Sequence, residues 1–264
     1  MRCVRFVGKD DQVRCGIVRQ DDTIEVVRGE FWGDYEATGE ICQLGQIGAY
    51  LSPVDPPNIF AIGLNYREHA RETGAQLPNA PLIFIKATTS LNAHQGEIVL
   101  PRPAPAEVDF EAELLVVIGK KAKCVSTAEA ADYIFGYTCG NDVTARDCQK
   151  KIDKQWARAK SFDGFAPVGP MIETELNPTN LRIRSFLNGE CMQDSSTSDL
   201  IFGVFELVSY LSENFTLLPG TLIFTGTPPG VGVARDPQVF LRSGDTIAVE
   251  VEGLGTLENR VVLE

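Results

Sequence analysis

Histidine is scarce in these 264 residues: there are only two, so each carries more weight than usual. The seven cysteines (Cys3, Cys15, Cys42, Cys124, Cys139, Cys148, Cys191) are odd in number and dispersed, with no C-x-x-C pair. Neither a disulfide framework nor a zinc site is indicated, and free thiols in a reducing compartment are expected. No stretch approaches the ~18 to 20 uninterrupted apolar residues of a membrane span. Residues Met1 to Val7 alternate like a strand and do not form the apolar block of a signal peptide. A cytoplasmic protein is expected, with an organelle matrix as the other compatible place. Basic charge is in deficit, 24 Lys and Arg against 36 Asp and Glu, a net of −12. That balance argues against nucleic acid or an anionic membrane as partner. Internal repeats and low-complexity segments are absent as well.

What is present describes an ordinary globule, 44% hydrophobic and long enough for one large core or for a small domain joined to a larger one. Short alternating segments at Val4 to Val7, Arg14 to Val18 and Thr23 to Val27 make a small β-rich unit over residues 1–52. Pro53, Pro56 and Pro57 then interrupt any helix or central strand, which sets the boundary to a larger domain at 57–264. Beyond it, strands are expected at Ile59 to Gly63, Leu82 to Lys86 and Thr221 to Thr225. A helix over Asn65 to Glu72 is stopped by Gly74. Ser126 and Glu129 form a capping box that opens a short helix through Tyr133. The stripe Leu200, Ile201, Val204, Leu207, Val208 and Leu211 keeps helical spacing. A hairpin runs from Ile247 to Val262 through Gly253 to Gly255. Strands dominate without regular βαβ alternation, so the fold class is α+β, with an antiparallel or mixed sheet curled into a roll.

Glu111 and Glu113 head the apolar run Leu114 to Gly119. On a strand, residues i and i+2 share a face roughly 6.6 Å apart, so the two carboxylates converge where neither is easily ionised. Asp142 ends a second apolar run, Ile134 to Cys139. Three carboxylates without thiolate or imidazole beside them form a hard oxygen site suited to Mg²⁺, Mn²⁺ or Ca²⁺; the alternative is strand-end acids paired with Lys or Arg.

His69 and Glu72 fall on one helical face, and a carboxylate held against an imidazole raises its basicity and fixes its tautomer. That arrangement suits a general base for activating water. His94, in a polar loop without such a partner, reads as structural. Thr144 can cap a short helix on which Arg146 and Gln149 share a face. From Arg146 to Lys160 there are six cations against two acids, which suggests a small anionic substrate. Arg146 and Lys160 are the favoured ligands among them. The loop Thr225 to Gly232 can present hydroxyls and backbone N–H groups to a carboxylate, but it is not a phosphate loop. The segments Ala75 to Pro81 and Asn188 to Ser198 are expected to read the substrate's length and terminal groups.

Five segments in order resemble the fumarylacetoacetate hydrolase family, in its short-chain branch of acylpyruvate hydrolases and 2-hydroxyhepta-2,4-diene-1,7-dioate isomerases. They are Gly63 to His69, Glu111 to Leu114, Asn141 to Asp147, Ala159 to Asp163 and Thr225 to Gly232, and the resemblance spans about residues 57–262. It implies the family's mixed β-roll, a homodimer, and Mg²⁺ or Mn²⁺ held by Glu111, Glu113 and Asp142. It also implies water activation by His69 and Glu72 on a mobile lid, negative charge on the substrate stabilised by Arg146, Gln149 and Lys160, and a substrate carboxylate held with help from Thr227. Long eukaryotic members carry a further aspartate ligand where this chain has Ile62. The activity implied is cleavage of a carbon–carbon bond in a β-diketo acid, of acylpyruvate or fumarylpyruvate type, through an enolate. Isomerisation of an unsaturated dicarboxylate and decarboxylation of oxaloacetate are the alternatives on the same scaffold. A non-catalytic binding module is the alternative outside enzymes.

Overall fold

The strand Ala112–Ile118 is buried along its whole length and apolar from Leu114 onward, because both of its faces are covered. In the computed structural model, which describes residues 1–264, it is a central strand of a mixed twelve-stranded sheet. It pairs antiparallel with Ile134–Asn141 on one side and Leu222–Phe224 on the other. Leu114, Val116 and Ile118 pack toward a five-stranded second sheet, represented by Ile183, Val249 and Leu257, and toward Leu207 and Leu211 of the helix Val204–Asn214. Leu115 and Val117 pack the opposite way, against Ile59, Val168, Ile172 and Phe224. Glu111 and Glu113 belong to this second face by the two-residue period, and they continue it past the strand's apolar part.

Strands dominate, and the sheets are mixed: Leu222–Phe224 runs parallel to Ile59–Gly63, and Gly255–Leu263 parallel to Glu97–Leu100. The α+β roll expected from the sequence is the observed fold. No helix is long and apolar enough to cross a membrane. The N-terminal strand Arg2–Val7 joins the main sheet by pairing with Ala166–Glu173, so residues 1–52 extend the large sheet.

Ala166–Glu173 carries Pro167 and Pro170 inside the sheet, where its pairing with Ile134–Asn141 slips between Tyr137 and Cys139. A proline without an N–H is tolerated at such an irregularity. Thr144 does not cap a helix. It lies in the two-residue strand Thr144–Ala145, its hydroxyl donates to the Asp142 carbonyl, and the Asp147 side chain caps the following π-helical turn Cys148–Ile152. The helix expected from Leu200 begins at Val204, because Leu200 bridges to Tyr66 instead. The Ser126–Glu129 contact forms, but the helix that follows is a 3₁₀ turn, Ala130–Tyr133. Asn188 and Gly189, both at positive φ, turn a hairpin between Arg182–Leu187 and Glu190–Ser196, a dipeptide signal that the sequence carried openly.

Candidate active site

Glu111, Glu113 and Asp142 are buried, and one oxygen of each lies within 4.8 Å of the others. The pairing of Ala112 with Asn141 brings the two strand ends level, which places Asp142 beside the Glu-Ala-Glu segment. Three buried cations surround these acids. Lys160 Nζ donates to Glu111 Oε2 at 2.7 Å and to Asp142 Oδ2 at 2.5 Å. Lys86 Nζ donates to Asp142 Oδ1 at 2.5 Å. Arg146 Nε donates to Asp109 Oδ2 at 2.8 Å, and Nη1 to Gln149 Oε1 at 2.9 Å. Its Nη2 lies 2.7 Å from Glu111 Oε1 and 2.8 Å from Asp109 Oδ2, without an N–H aimed at either oxygen.

The electrostatics separate the two glutamates. Burial would raise the Glu111 carboxyl, but Lys160 and Arg146 hold it down to about 2. Glu113 has no cation and accepts only from the Gly226 N–H at 2.7 Å; burial, with Asp142 and Glu111 beside it, drives its pKa well above the usual range. For Lys160, burial opposes the charge, yet Asp142 and Glu111 raise its pKa. Four buried carboxylates (Asp109, Glu111, Glu113, Asp142) thus face three buried cations, and the unmatched negative charge resides at Glu113. An all-oxygen trio this close, with one member lacking a counter-charge, fits a hard divalent cation.

The acids floor a pocket of about 250 Å³, and His69, Arg146, Gln149, Lys160 and Thr227 also line it. His69 Nδ1 and Glu72 Oε2 are 3.0 Å apart on the helix Arg67–Thr73, which ends at Gly74 in the left-handed conformation. Glu72 Oε1 accepts from the Gly230 N–H at 2.9 Å, which ties this helix to the Thr225 to Gly232 loop. Burial would raise the Glu72 carboxyl, but His69 and the Gly230 N–H together take it below its ordinary value. The Glu68 N–H and Arg67 fix the helix start to Asp199. Leu64 enters the helix at φ 47°, a left-handed conformation costly for leucine, at the edge of the pocket.

The resemblance gives Thr227 a substrate carboxylate, but its hydroxyl is already engaged. It donates to the Ala112 carbonyl at 2.9 Å and accepts from Gln193 Nε2 at 2.9 Å. Gln193 also accepts from the Ala112 N–H and donates to the Pro228 carbonyl, so it buttresses the loop from behind. Neither Ala75–Pro81 nor Asn188–Ser198 lines the pocket, contrary to expectation. Phe84 and Trp156, edge to face at 5.5 Å, form the apolar wall instead, and a Cβ on Gly63 would come within 2.4 Å of the Trp156 ring. His94 accepts from the Glu258 N–H at 3.0 Å, away from the site. Sequence reasoning missed Lys86 and Asp109. Lys86 carries the same signal as Glu111, an ionisable group closing an apolar strand, whereas Asp109 has no local mark.

Residues 58–262 match the family described as Fumarylacetoacetate (FAA) hydrolase C-terminal, and residues 1–48 match one described as Rv2993c-like, N-terminal. The chain belongs to the fumarylacetoacetate hydrolase family. The mitochondrial oxaloacetate tautomerase Fahd2a of Rattus norvegicus is 42% identical over 217 residues, 81% of this chain and 69% of the rat protein. A solved 5-carboxymethyl-2-hydroxymuconate delta-isomerase from Mycobacterium smegmatis superposes with a TM-score of 0.90 at 38% identity, over 100% of both chains. A fumarylacetoacetate hydrolase from Exiguobacterium antarcticum gives 0.90 at 31% identity, again over 100% of both. The protein is therefore a member of an enzyme family, with tautomerase- and isomerase-type relatives. Ile62, where long family members carry an aspartate, is buried at the pocket wall and offers no fourth carboxylate.

Proposed function

We propose that the protein catalyses proton transfer next to the keto group of a small keto acid, a tautomerase or isomerase activity that requires Mg²⁺ or Mn²⁺ at Glu111, Glu113 and Asp142. The observation that carries this reading is that His69, held by Glu72, and the three acids line one small pocket. With Glu72 ionised, Nδ1 is the protonated ring nitrogen, and Nε2 keeps the lone pair that takes a proton from carbon. Two of the Lys160 ammonium protons serve Glu111 and Asp142, which leaves the third for a substrate oxygen. Gln149 spends its carbonyl on Arg146, so its amide N–H₂ remains to orient the substrate. A bound divalent cation would supply Lewis acidity and a template for the keto acid. The proton then returns to a different atom from the same imidazole.

The test is the keto–enol interconversion of oxaloacetate with Mg²⁺, followed spectroscopically. His69→Ala is expected to lower the rate about 10²- to 10⁴-fold while cation binding, measured by calorimetry, is retained. An unchanged rate in that variant would overturn the proposal. Hydrolysis of an acylpyruvate is the second reading, favoured by the Glu72-held imidazole, which suits water as well as carbon. Release of pyruvate from acetylpyruvate or fumarylpyruvate, lost in His69→Ala, would select it. Release of CO₂ from oxaloacetate would mark decarboxylation instead.

A further inference from the structure

The cations that face the pocket are nearly all occupied. Arg146 and Lys160 are bound to Asp109, Glu111 and Asp142, and Lys86 behind them to Asp142. In the basic run that follows, Lys151 pairs with Glu107 and Arg158 with Asp153, both away from the site. Lys150 is the exception. It lines the pocket, is exposed at its rim, and forms neither an ion pair nor a hydrogen bond. It sits on the π-helical turn Cys148–Ile152, one residue after Gln149, so a single turn delivers both a neutral donor and an uncommitted ammonium to one wall. Single π-turns recur where a helix must aim side chains at a site.

We infer that Lys150 is a specificity residue that holds the second carboxylate of a dicarboxylate keto acid, with the first carboxylate and keto group seated deeper, toward Glu111, Glu113 and Asp142. The inference rests on the keto-acid reading and names its substrate class. In a pocket whose other ammonium and guanidinium groups are neutralised internally, a monocarboxylate gains nothing from Lys150. A second carboxylate gains a charge-assisted hydrogen bond. Phe84 and Trp156 on the apolar wall suit the carbon chain between the two ends.

The experiment compares fumarylpyruvate with acetylpyruvate, both by kcat/KM and by equilibrium binding with Mg²⁺ present. Lys150→Met should weaken the dicarboxylate about tenfold or more, as expected for one charge-assisted bond, and leave the monocarboxylate unchanged; Lys150→Arg should restore most of the difference. Lys154→Met is the control, since Lys154 is exposed, unpaired and outside the pocket. An equal loss for both ligands, no loss for either, or an equal effect of Lys154→Met would overturn the inference. Selective binding lost in Lys150→Met without turnover of either compound would uphold Lys150 and overturn only the hydrolytic reading.

Discussion

Each acid at the site does a different electrostatic job, and the difference is open to measurement. Asp142 neutralises Lys86 and shares Lys160 with Glu111, all of them nearly without solvent exposure. Glu113 forms no ion pair, and burial beside Asp142 and Glu111 raises its pKa, so its charge is the least supported of the three. Asp142→Asn therefore strands buried ammonium groups and should cost about 3–5 kcal/mol. Glu113→Gln leaves no cation without its partner and keeps the side chain's shape, and should cost under about 1 kcal/mol. Denaturant unfolding with chelator present measures both. A loss for Glu113→Gln as large as that for Asp142→Asn would show that Glu113 is ionised and paired.

The element that carries the base is short, seven residues from Arg67 to Thr73, and a helix of that length has little stability of its own. Its position comes from Tyr66 bridging to Leu200, from Asp199 at its start, and from Glu72 accepting the Gly230 N–H near its end. Because the folded Glu72 pKa lies below the ordinary 4.5, its contribution is present in full above that pH and is lost as pH falls through the lowered value. The stability difference between wild type and Glu72→Gln should accordingly be constant above about 4.5 and shrink in acid. Unfolding titrations across pH decide this, and a difference that persists unchanged into the acid range would contradict it. On the other side of the site, Gly226 at φ 103° lets the loop pass so close that a Cβ would sit 2.6 Å from the Asn65 Cβ. From this position the Gly226 N–H donates to Glu113 Oε2 at 2.7 Å.

In the whole molecule, residues 1–52 share both a sheet and a core with the remainder. Cys3, Val27 and Phe31 belong to one apolar cluster with Val54, Ile59, Val168, Ile172 and Leu222. Trp32 packs edge-on against Phe135, 6.0 Å between ring centres. We therefore expect a fragment of residues 57–264 to expose the edge of Ala166–Glu173 and to aggregate or melt well below the full chain. A soluble fragment with the full chain's melting temperature would show that the proline segment separates two independent folds.

Much of the site was legible because its geometry is local. Glu111 and Glu113 share a face by the strand's period of two, and His69 with Glu72 and Arg146 with Gln149 share faces by helical spacing. The two-sided apolar run after Glu113 likewise announced a central strand. Contacts between distant segments were not legible. Lys86 reaches Asp142 across 56 positions, and Asp109 meets Arg146 across 37, because tertiary packing, not local pattern, brings those segments together. Only the folded chain decides that Thr227 spends its hydroxyl on a neighbouring strand, that residues 188–198 stay off the pocket lining, and that Lys150 alone among the pocket's cations stays unpaired. A sequence specifies which groups can ionise or donate; which of them find partners depends on distances that the tertiary packing sets.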